Sequence, residues 1–168
     1  MDLVVSNYGA AAMVDWGSGP RRCAVGPAGI APKRCEGDGA TPIGSFAFRG
    51  FYWRADRLSR PDCILPGRAL EPDDGWCDSP ADSNYNKPVR HPYPASAEHL
   101  WRDSHVYDII VAIGFNDDPV VAGVGSAVFL HLAREGYPPT AGCVALAEPD
   151  LRAALAQIAA SDRLRIMR

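Results

Sequence analysis

The chain has 168 residues, 47% of them hydrophobic, and a formal net charge of -3 at pH 7. This length fits a single domain, residues 1–168, that is large enough to bury a core. The acidic balance argues against nucleic acid as a main partner, and no stretch approaches the roughly 20 apolar residues of a membrane span. Residues 1–6 lack the basic region and the long apolar run of a secretory signal.

Short strands are predicted in the first third of the chain, because apolar and β-branched runs alternate there with turn residues. They are residues 3–6, 10–16, 23–26 and 45–49, and the aromatic run 51–54 is interpreted as a continuation of the sheet. The Gly- and Pro-rich segment 26–44 predicts a loop. Within it, Pro42 favours an extended Thr41. Lys33 and Arg34 either meet a substrate carboxylate or form a solvated surface patch.

Residues 59–104 are irregular and repeatedly interrupted by proline. A loop of this length in a small domain is usually functional or disordered. Its aromatic residues, which include Trp76, Tyr85, Tyr93 and Trp101, argue against disorder. The segment is therefore predicted to be an ordered flap over a site, with a short helical turn at residues 98–102.

The last third of the chain predicts a buried strand, a helix and a final strand. Residues 106–115 are apolar in both alternating sets, as in a strand buried on both faces. A helix is predicted from Glu148 to about residue 161, since Pro149 suits its first turn and Leu151, Leu155 and Ile158 form one apolar face. Alternation at residues 163–166 predicts a strand. The fold class is mainly β with one packed C-terminal helix.

A histidine and a cysteine are each carried by an apolar run. Residues 128–132 contain His131, and the small-residue turn Ala141-Gly142 leads to Cys143 at the head of the second run. A thiol and an imidazole together suit covalent catalysis, and the N–H groups around a glycine turn suit an oxyanion. The alternative is a buried cysteine beside a hydrogen-bonded core histidine.

This stretch resembles the active-site motif of the YkuD-type L,D-transpeptidases, in which a histidine is followed by Ser/Thr-His-Gly-Cys. His131 matches the histidine, Thr140 the Ser/Thr, Gly142 the glycine and Cys143 the nucleophile. Upstream, residues 39–46 resemble the Thr-Pro-x-Gly-x-Phe segment of the family. The similar region spans roughly residues 37–146.

The resemblance implies a YkuD-like β-sandwich or barrel that cross-links peptidoglycan stem peptides through a cysteine thioester. Cys143 is then the nucleophile and His131 the general base, oriented by a backbone carbonyl at Leu132. Ala141, Gly142 and Cys143 are the candidate oxyanion donors. The expected product links two meso-diaminopimelate residues, or L-alanine to meso-diaminopimelate.

Four residues depart from the family pattern and indicate a divergent subgroup. Ala141 replaces the usual histidine, Leu132 stands where many members have glycine, and residues 145–146 are apolar where a polar residue is common. Segments 76–78 and 84–87 resemble one branch of the family. Candidate substrate contacts are Trp76, Asn84, Tyr85, Lys87 and Tyr137.

The resemblance further implies a monomer in the periplasm or cell envelope that acts on stem peptides without a cofactor or metal. Four cysteines other than Cys143 allow three disulfide pairings. In an oxidising periplasm Cys63 and Cys77 would staple the flap; the alternative is four reduced thiols. Two other functions stay open: a cysteine endopeptidase or carboxypeptidase on the same scaffold, and a non-catalytic wall-binding module.

Overall fold

The computed structural model describes residues 1–168, and strands make up most of its regular structure. One α-helix, α1, spans Glu148–Leu155, and a 3-10 helical turn spans His105–Tyr107. The strands are β1 (Leu3–Tyr8), β2 (Ala11–Asp15), β3 (Arg21–Ala24), β4 (Ile30–Ala31), β5 (Thr41–Pro42), β6 (Gly44–Trp53), β7 (Gly67–Ala69), β8 (Asp74–Cys77), β9 (Pro88–Arg90), β10 (Ala97–His99), β11 (Ile109–Ile113), β12 (Phe129–Leu132), β13 (Val144–Leu146) and β14 (Arg163–Ile166).

Nine of these strands form one sheet that closes on itself. The order is β11-β12-β13-β3-β2-β1-β14-β6-β7, and β11 also pairs with β6. The long strand β6 makes this closure possible: its first half pairs with β14 and its second half with β11. The resulting barrel confirms the predicted mainly β fold.

The barrel interior is filled by alternate residues of its strands, because successive side chains of a strand point to opposite faces. Ile109 and Val111 of β11 and Leu130 of β12 are at most 1% exposed and belong to this core. Leu151 and Leu155 of α1 join it. The helix ends at Leu155, earlier than predicted, although Ile158 in the following turn is buried in the same core.

The outer face of β11 and β12 is buried as well. Ile110, Ala112 and Phe129 point to this face and form a second cluster, which includes Leu70 and Leu100 from the flap. All five residues of β11 are therefore buried. The predicted strand 106–115 is correct in its centre but too long, because residues 105–107 form the 3-10 turn.

The flap, residues 59–104, has regular structure of its own. Strand β8 pairs antiparallel with both β9 and β10 in a three-stranded sheet. The predicted helical turn at residues 98–102 is wrong, because Glu98 lies opposite Trp76 in this sheet. No helix in the structure has the length and apolar character needed to cross a bilayer.

All five cysteines are free thiols, and only Cys35 is exposed. Cys63 is packed in the barrel core, and Cys77 is fully buried in strand β8. The structure therefore does not contain the predicted Cys63–Cys77 pair, and the flap is held without a disulfide.

Candidate active site

Strand register brings His131 and Cys143 to one face of the barrel wall. In β12, Leu130 and Leu132 point into the core, so His131 points outward to the flap. Strand β13 pairs parallel with β12, with His131 opposite Ala145. Cys143 precedes Ala145 by two residues and therefore lies on the same face. Because their strands are neighbours, the two residues line the same cavity.

A tight turn presents the cysteine. The Thr140 hydroxyl donates to the Cys143 carbonyl at 2.7 Å and accepts from the Gly142 N–H at 3.1 Å. Gly142 has a φ of +133°, and a β-carbon there would lie 2.8 Å from the carbonyl oxygen of Ala40. The turn therefore requires glycine. Since Ala40 precedes Thr41, the two separated sequence motifs pack against each other.

Two backbone N–H groups at the turn that carries Cys143 have no hydrogen-bond partner. Those of Ala141 and Cys143 donate to no acceptor in the protein, whereas the Gly142 N–H is bonded to Thr140. Free N–H groups next to an attacking atom can stabilise an oxyanion. The turn thus leaves two of the three predicted donors available.

The sulfur of Cys143 is held by backbone groups of the segment before β12. It donates to the Ala127 carbonyl at 3.2 Å and accepts from the Phe129 N–H at 3.3 Å. Ala127 has a positive φ of 51°, a conformation that a non-glycine residue rarely adopts without support. The carbonyl that receives the thiol proton is therefore placed by surrounding structure.

That support comes from Asn86, which sequence analysis did not single out. Its Oδ1 accepts from the Ala127 N–H at 3.1 Å and from the Trp76 indole at 2.9 Å. Its Nδ2 donates to the carbonyls of Phe115 and Asn116 at 2.9 and 2.8 Å. No local sequence signal reveals this role, because the bond to Ala127 spans 41 residues.

The imidazole of His131 is held in a defined tautomer. Its Nδ1 lies 2.9 Å from the Leu132 carbonyl, which can only accept, so Nδ1 carries the proton and Nε2 is free to take one. The Tyr107 ring packs edge-on against it, with the centroids 5.2 Å apart. No hydrogen bond joins the imidazole to the sulfur, but both line one cavity of about 410 Å³. Catalytic hydrogen bonds often form only in the substrate complex.

Burial keeps both groups neutral. It lowers the pKa of His131 to about 4, an effect that the nearby Leu132 carbonyl opposes and the Arg102 charge reinforces. Burial also raises the pKa of the Cys143 thiol to about 12, with the Glu98 carboxylate adding to the shift. At neutral pH the site therefore holds a thiol and an imidazole rather than an ion pair.

Two cavities meet at Cys143. The first, here called the imidazole-side cavity, has a volume of about 410 Å³, and its charged lining residues are Glu98, Arg102 and Arg134. The second, the lysine-side cavity of about 270 Å³, is lined by Lys33, Glu36, Asp78 and again Glu98. The flap contributes Glu98 to both, so it forms a wall of the site.

Lys33 lies in the wall of the second cavity rather than in a solvated patch. Its side chain is 4% exposed and its ammonium is 2.7 Å from Asp38. A β-carbon on Gly142 would lie 3.7 Å from Lys33 Nζ. The neighbouring Arg34 is exposed.

None of the five side chains predicted to contact substrate lines either cavity. Trp76 packs edge-on against Phe129 and bonds Asn86, and Tyr85 is buried with its hydroxyl on Glu36. Asn84 and Lys87 are exposed on the flap, and Tyr137 stacks beneath the Arg22 guanidinium. In this arrangement Trp76 and Tyr85 support the walls of the site.

No group of three or more His, Cys, Asp or Glu side chains is arranged to hold a metal ion. The groups present at this site are a thiol, an imidazole, free N–H groups and a few charged side chains.

Comparison with known proteins agrees with this geometry. The family model for YkuD, the L,D-transpeptidase catalytic domain, matches residues 10–166, nearly the whole chain. Neither curated proteins nor solved structures gave a match. The matched region contains the barrel except strand β1, the flap and both residues of the cysteine–histidine pair. The chain therefore belongs to the YkuD family of L,D-transpeptidase catalytic domains.

Proposed function

We propose that the protein cross-links peptidoglycan stem peptides in the cell envelope through a thioester on Cys143. The observation that carries the proposal is the cavity that Cys143 and His131 share, beside two unused backbone N–H groups. A thiol, a proton acceptor and an oxyanion site are the minimum set for acyl transfer.

The acylation step follows from the protonation states. As a donor carbonyl approaches, the sulfur leaves the Ala127 carbonyl and its proton passes to Nε2 of His131. The S–C bond forms, and the oxyanion accepts from the N–H groups of Ala141 and Cys143. The imidazolium then protonates the leaving amine, the C–N bond breaks and the thioester remains.

The transfer step runs the same path in reverse. An amine of a second stem peptide attacks the thioester carbonyl and gives a proton to His131. The C–S bond breaks, and the imidazolium returns the proton to the sulfur. The flap shields the thioester from water, which favours the amine over hydrolysis. The product joins two meso-diaminopimelate residues, or L-alanine to meso-diaminopimelate, and the enzyme acts as a monomer.

The test is incubation of the protein with purified muropeptides, followed by mass analysis of the products. We expect dimers from the unaltered protein and none from Cys143→Ala. His131→Ala should slow their formation by about 10²–10⁴-fold, the usual effect of losing a general base. Cys35→Ala, which removes the exposed thiol, is the matched control and should leave the yield unchanged.

Two results would contradict the proposal. Equal dimer yields from the unaltered protein and Cys143→Ala would remove the cysteine from the reaction. Cleaved monomers without any dimer would instead assign the site to a cysteine endopeptidase or carboxypeptidase.

A further inference from the structure

In the carboxylate of Glu98, one oxygen accepts hydrogen bonds from protein groups and the other accepts none. Its Oε1 accepts from the Tyr107 hydroxyl at 2.7 Å and from Arg102 Nη2 at 2.5 Å, whereas Oε2 accepts no hydrogen bond. Arg102 also donates through Nε to the His99 carbonyl at 3.0 Å, and its Nη1 has no partner. Two residues that line the imidazole-side cavity thus each have a hydrogen-bonding atom without a protein partner: the acceptor Glu98 Oε2 and the donor Arg102 Nη1.

Both side chains are anchored to the ring that packs against the imidazole. The guanidinium of Arg102 lies 4.3 Å from the centre of the Tyr107 ring, and Tyr107 is 5% exposed. That ring is in turn 5.2 Å from the ring of His131. Glu98 and Arg102 therefore have defined positions relative to the proton acceptor of the reaction.

The electrostatic effects of the pair reach the reacting atoms. The charge of Arg102 lowers the pKa of His131 and opposes the rise in the pKa of Cys143, whereas Glu98 adds to that rise. Glu98 and Arg102 also line the same cavity as His131 and Cys143. A ligand group held by this pair would therefore lie in the cavity where the thioester forms.

The proposed reaction requires a place for one particular ligand group. The leaving amine takes its proton from His131 and the incoming amine returns one there, so both occupy the same position. A terminal amino acid that leaves carries a carboxylate on the carbon bearing its amine. The free end of the meso-diaminopimelate side chain has the same arrangement. Each is an α-amino-carboxylate.

We propose that Glu98 and Arg102 form a subsite for this α-amino-carboxylate group. Arg102 Nη1 binds the carboxylate, and Glu98 Oε2 accepts an N–H of the amino group and orients its lone pair toward the thioester. The inference rests on the proposed transfer reaction. It makes the flap a determinant of which amines are accepted.

The test is a competition between two amines for one acyl-enzyme. D-Methionine and D-methioninamide, which differ only in the carboxylate, are supplied together with a stem tetrapeptide donor. The ratio of the two products does not depend on the rate of acylation, because both arise from the same thioester. We expect the carboxylate product to exceed the carboxamide product by about tenfold or more, since hydrogen bonds between charged groups are the strong ones.

Substitutions distinguish carboxylate binding by Arg102 from amine orientation by Glu98. Arg102→Gln should lower the ratio of carboxylate to carboxamide product by about tenfold relative to the unaltered protein, and Arg102→Lys, which keeps the charge, should give an intermediate ratio. Glu98→Gln should preserve the ratio but reduce transfer of both amines relative to hydrolysis. The matched control is Arg165→Gln, which should behave as the unaltered protein. Arg165 is an exposed arginine of strand β14 and is paired with Asp2.

The two proposals fail differently. If intact-mass analysis shows no thioester on Cys143, the proposed function is overturned. If the thioester forms but both amines react equally, or Arg102→Gln retains the original ratio, the subsite is refuted while the proposed function stands. A merely structural role for Arg102 would lower the unfolding temperature without changing the ratio.

Discussion

The thiol of Cys143 and the imidazole of His131 are both buried, and burial shifts their pKa values in opposite directions, to about 12 and about 4. Each group is therefore held in its neutral form. In the proposed reaction a thiolate therefore forms only when a substrate carbonyl is in place, which protects the thiol from unwanted electrophiles.

Alkylation of Cys143 by iodoacetamide tests this property. The thiolate is the reactive form, so at neutral pH a thiol with a pKa of about 12 should react on the order of 10³-fold more slowly than free cysteine. The rate should then rise about tenfold per pH unit up to at least pH 10. The Cys35→Ser variant is used so that the exposed thiol does not consume the reagent, with Cys35→Ser combined with Cys143→Ala as the baseline.

A plateau in the labelling rate between pH 6 and 8 would contradict a neutral resting pair. The same argument bears on the non-catalytic alternative. An unreactive Cys143 is expected of this enzyme in its resting state, so inertness to iodoacetamide alone is no support for a wall-binding module.

The sequence predicted the residues of the proposed acyl-transfer site, because their signals are local. His131, Thr140, Gly142 and Cys143 stand in one short stretch with apolar runs on both sides. Glu98 could not be found in this way. Its position depends on the pairing of β10 with β8 and on the side chain of Tyr107, which no periodicity reveals.

At the scale of elements, the flap positions the site through Asn86 as well as through its lining residues. The amide of Asn86 connects the flap to residues 115–116 after β11 and to Ala127 before β12 by three hydrogen bonds, and a fourth joins it to Trp76 within the flap. Its own φ is +57°, which asparagine tolerates better than most residues. Asn86 therefore links the flap to the barrel through its side-chain hydrogen bonds.

Asn86→Ala should therefore destabilise the protein by about 3 kcal/mol, because it leaves buried N–H and carbonyl groups without partners. Chemical denaturation measures the effect. Asn84→Ala is the matched control: Asn84 is exposed and its amide bonds only the Tyr93 hydroxyl, so the change should stay within about 0.5 kcal/mol. Equal effects of the two substitutions would contradict this role for Asn86.

Prediction of strands and helices succeeded where the alternation of apolar and polar residues was continuous. It failed where tertiary contacts determine the local backbone conformation. The alternation at residues 163–166 predicted β14 correctly. Residues 106–107 are as apolar as a strand, yet they form a 3-10 turn, and the Asp108 carboxylate that follows is bonded to Arg57. The proline-rich flap forms strands because β8 supplies partners on both of its edges.

At the scale of the whole molecule, stability comes from packing without covalent cross-links. Four of the five cysteines are buried, and none is paired. The barrel core and the second cluster under the flap share strands β11 and β12, so the flap and the barrel are expected to unfold together.

Thiol titration of the purified protein in denaturant, without reductant, should accordingly find five free thiols. The unfolding temperature should be the same with and without dithiothreitol, since no disulfide is available to reduce. Three titratable thiols, with a lower unfolding temperature in reductant, would restore the Cys63–Cys77 pairing.

Strand β14 lies between β1 and β6, parallel to one and antiparallel to the other. During biosynthesis, both neighbours are made long before the segment that separates them. Until residues 163–166 have left the ribosome, β1 and β6 present edges whose backbone groups lack partners, and such edges invite pairing with other chains. The barrel therefore cannot close before residues 163–166 have been made, and a chaperone that covers those two edges would act before that point.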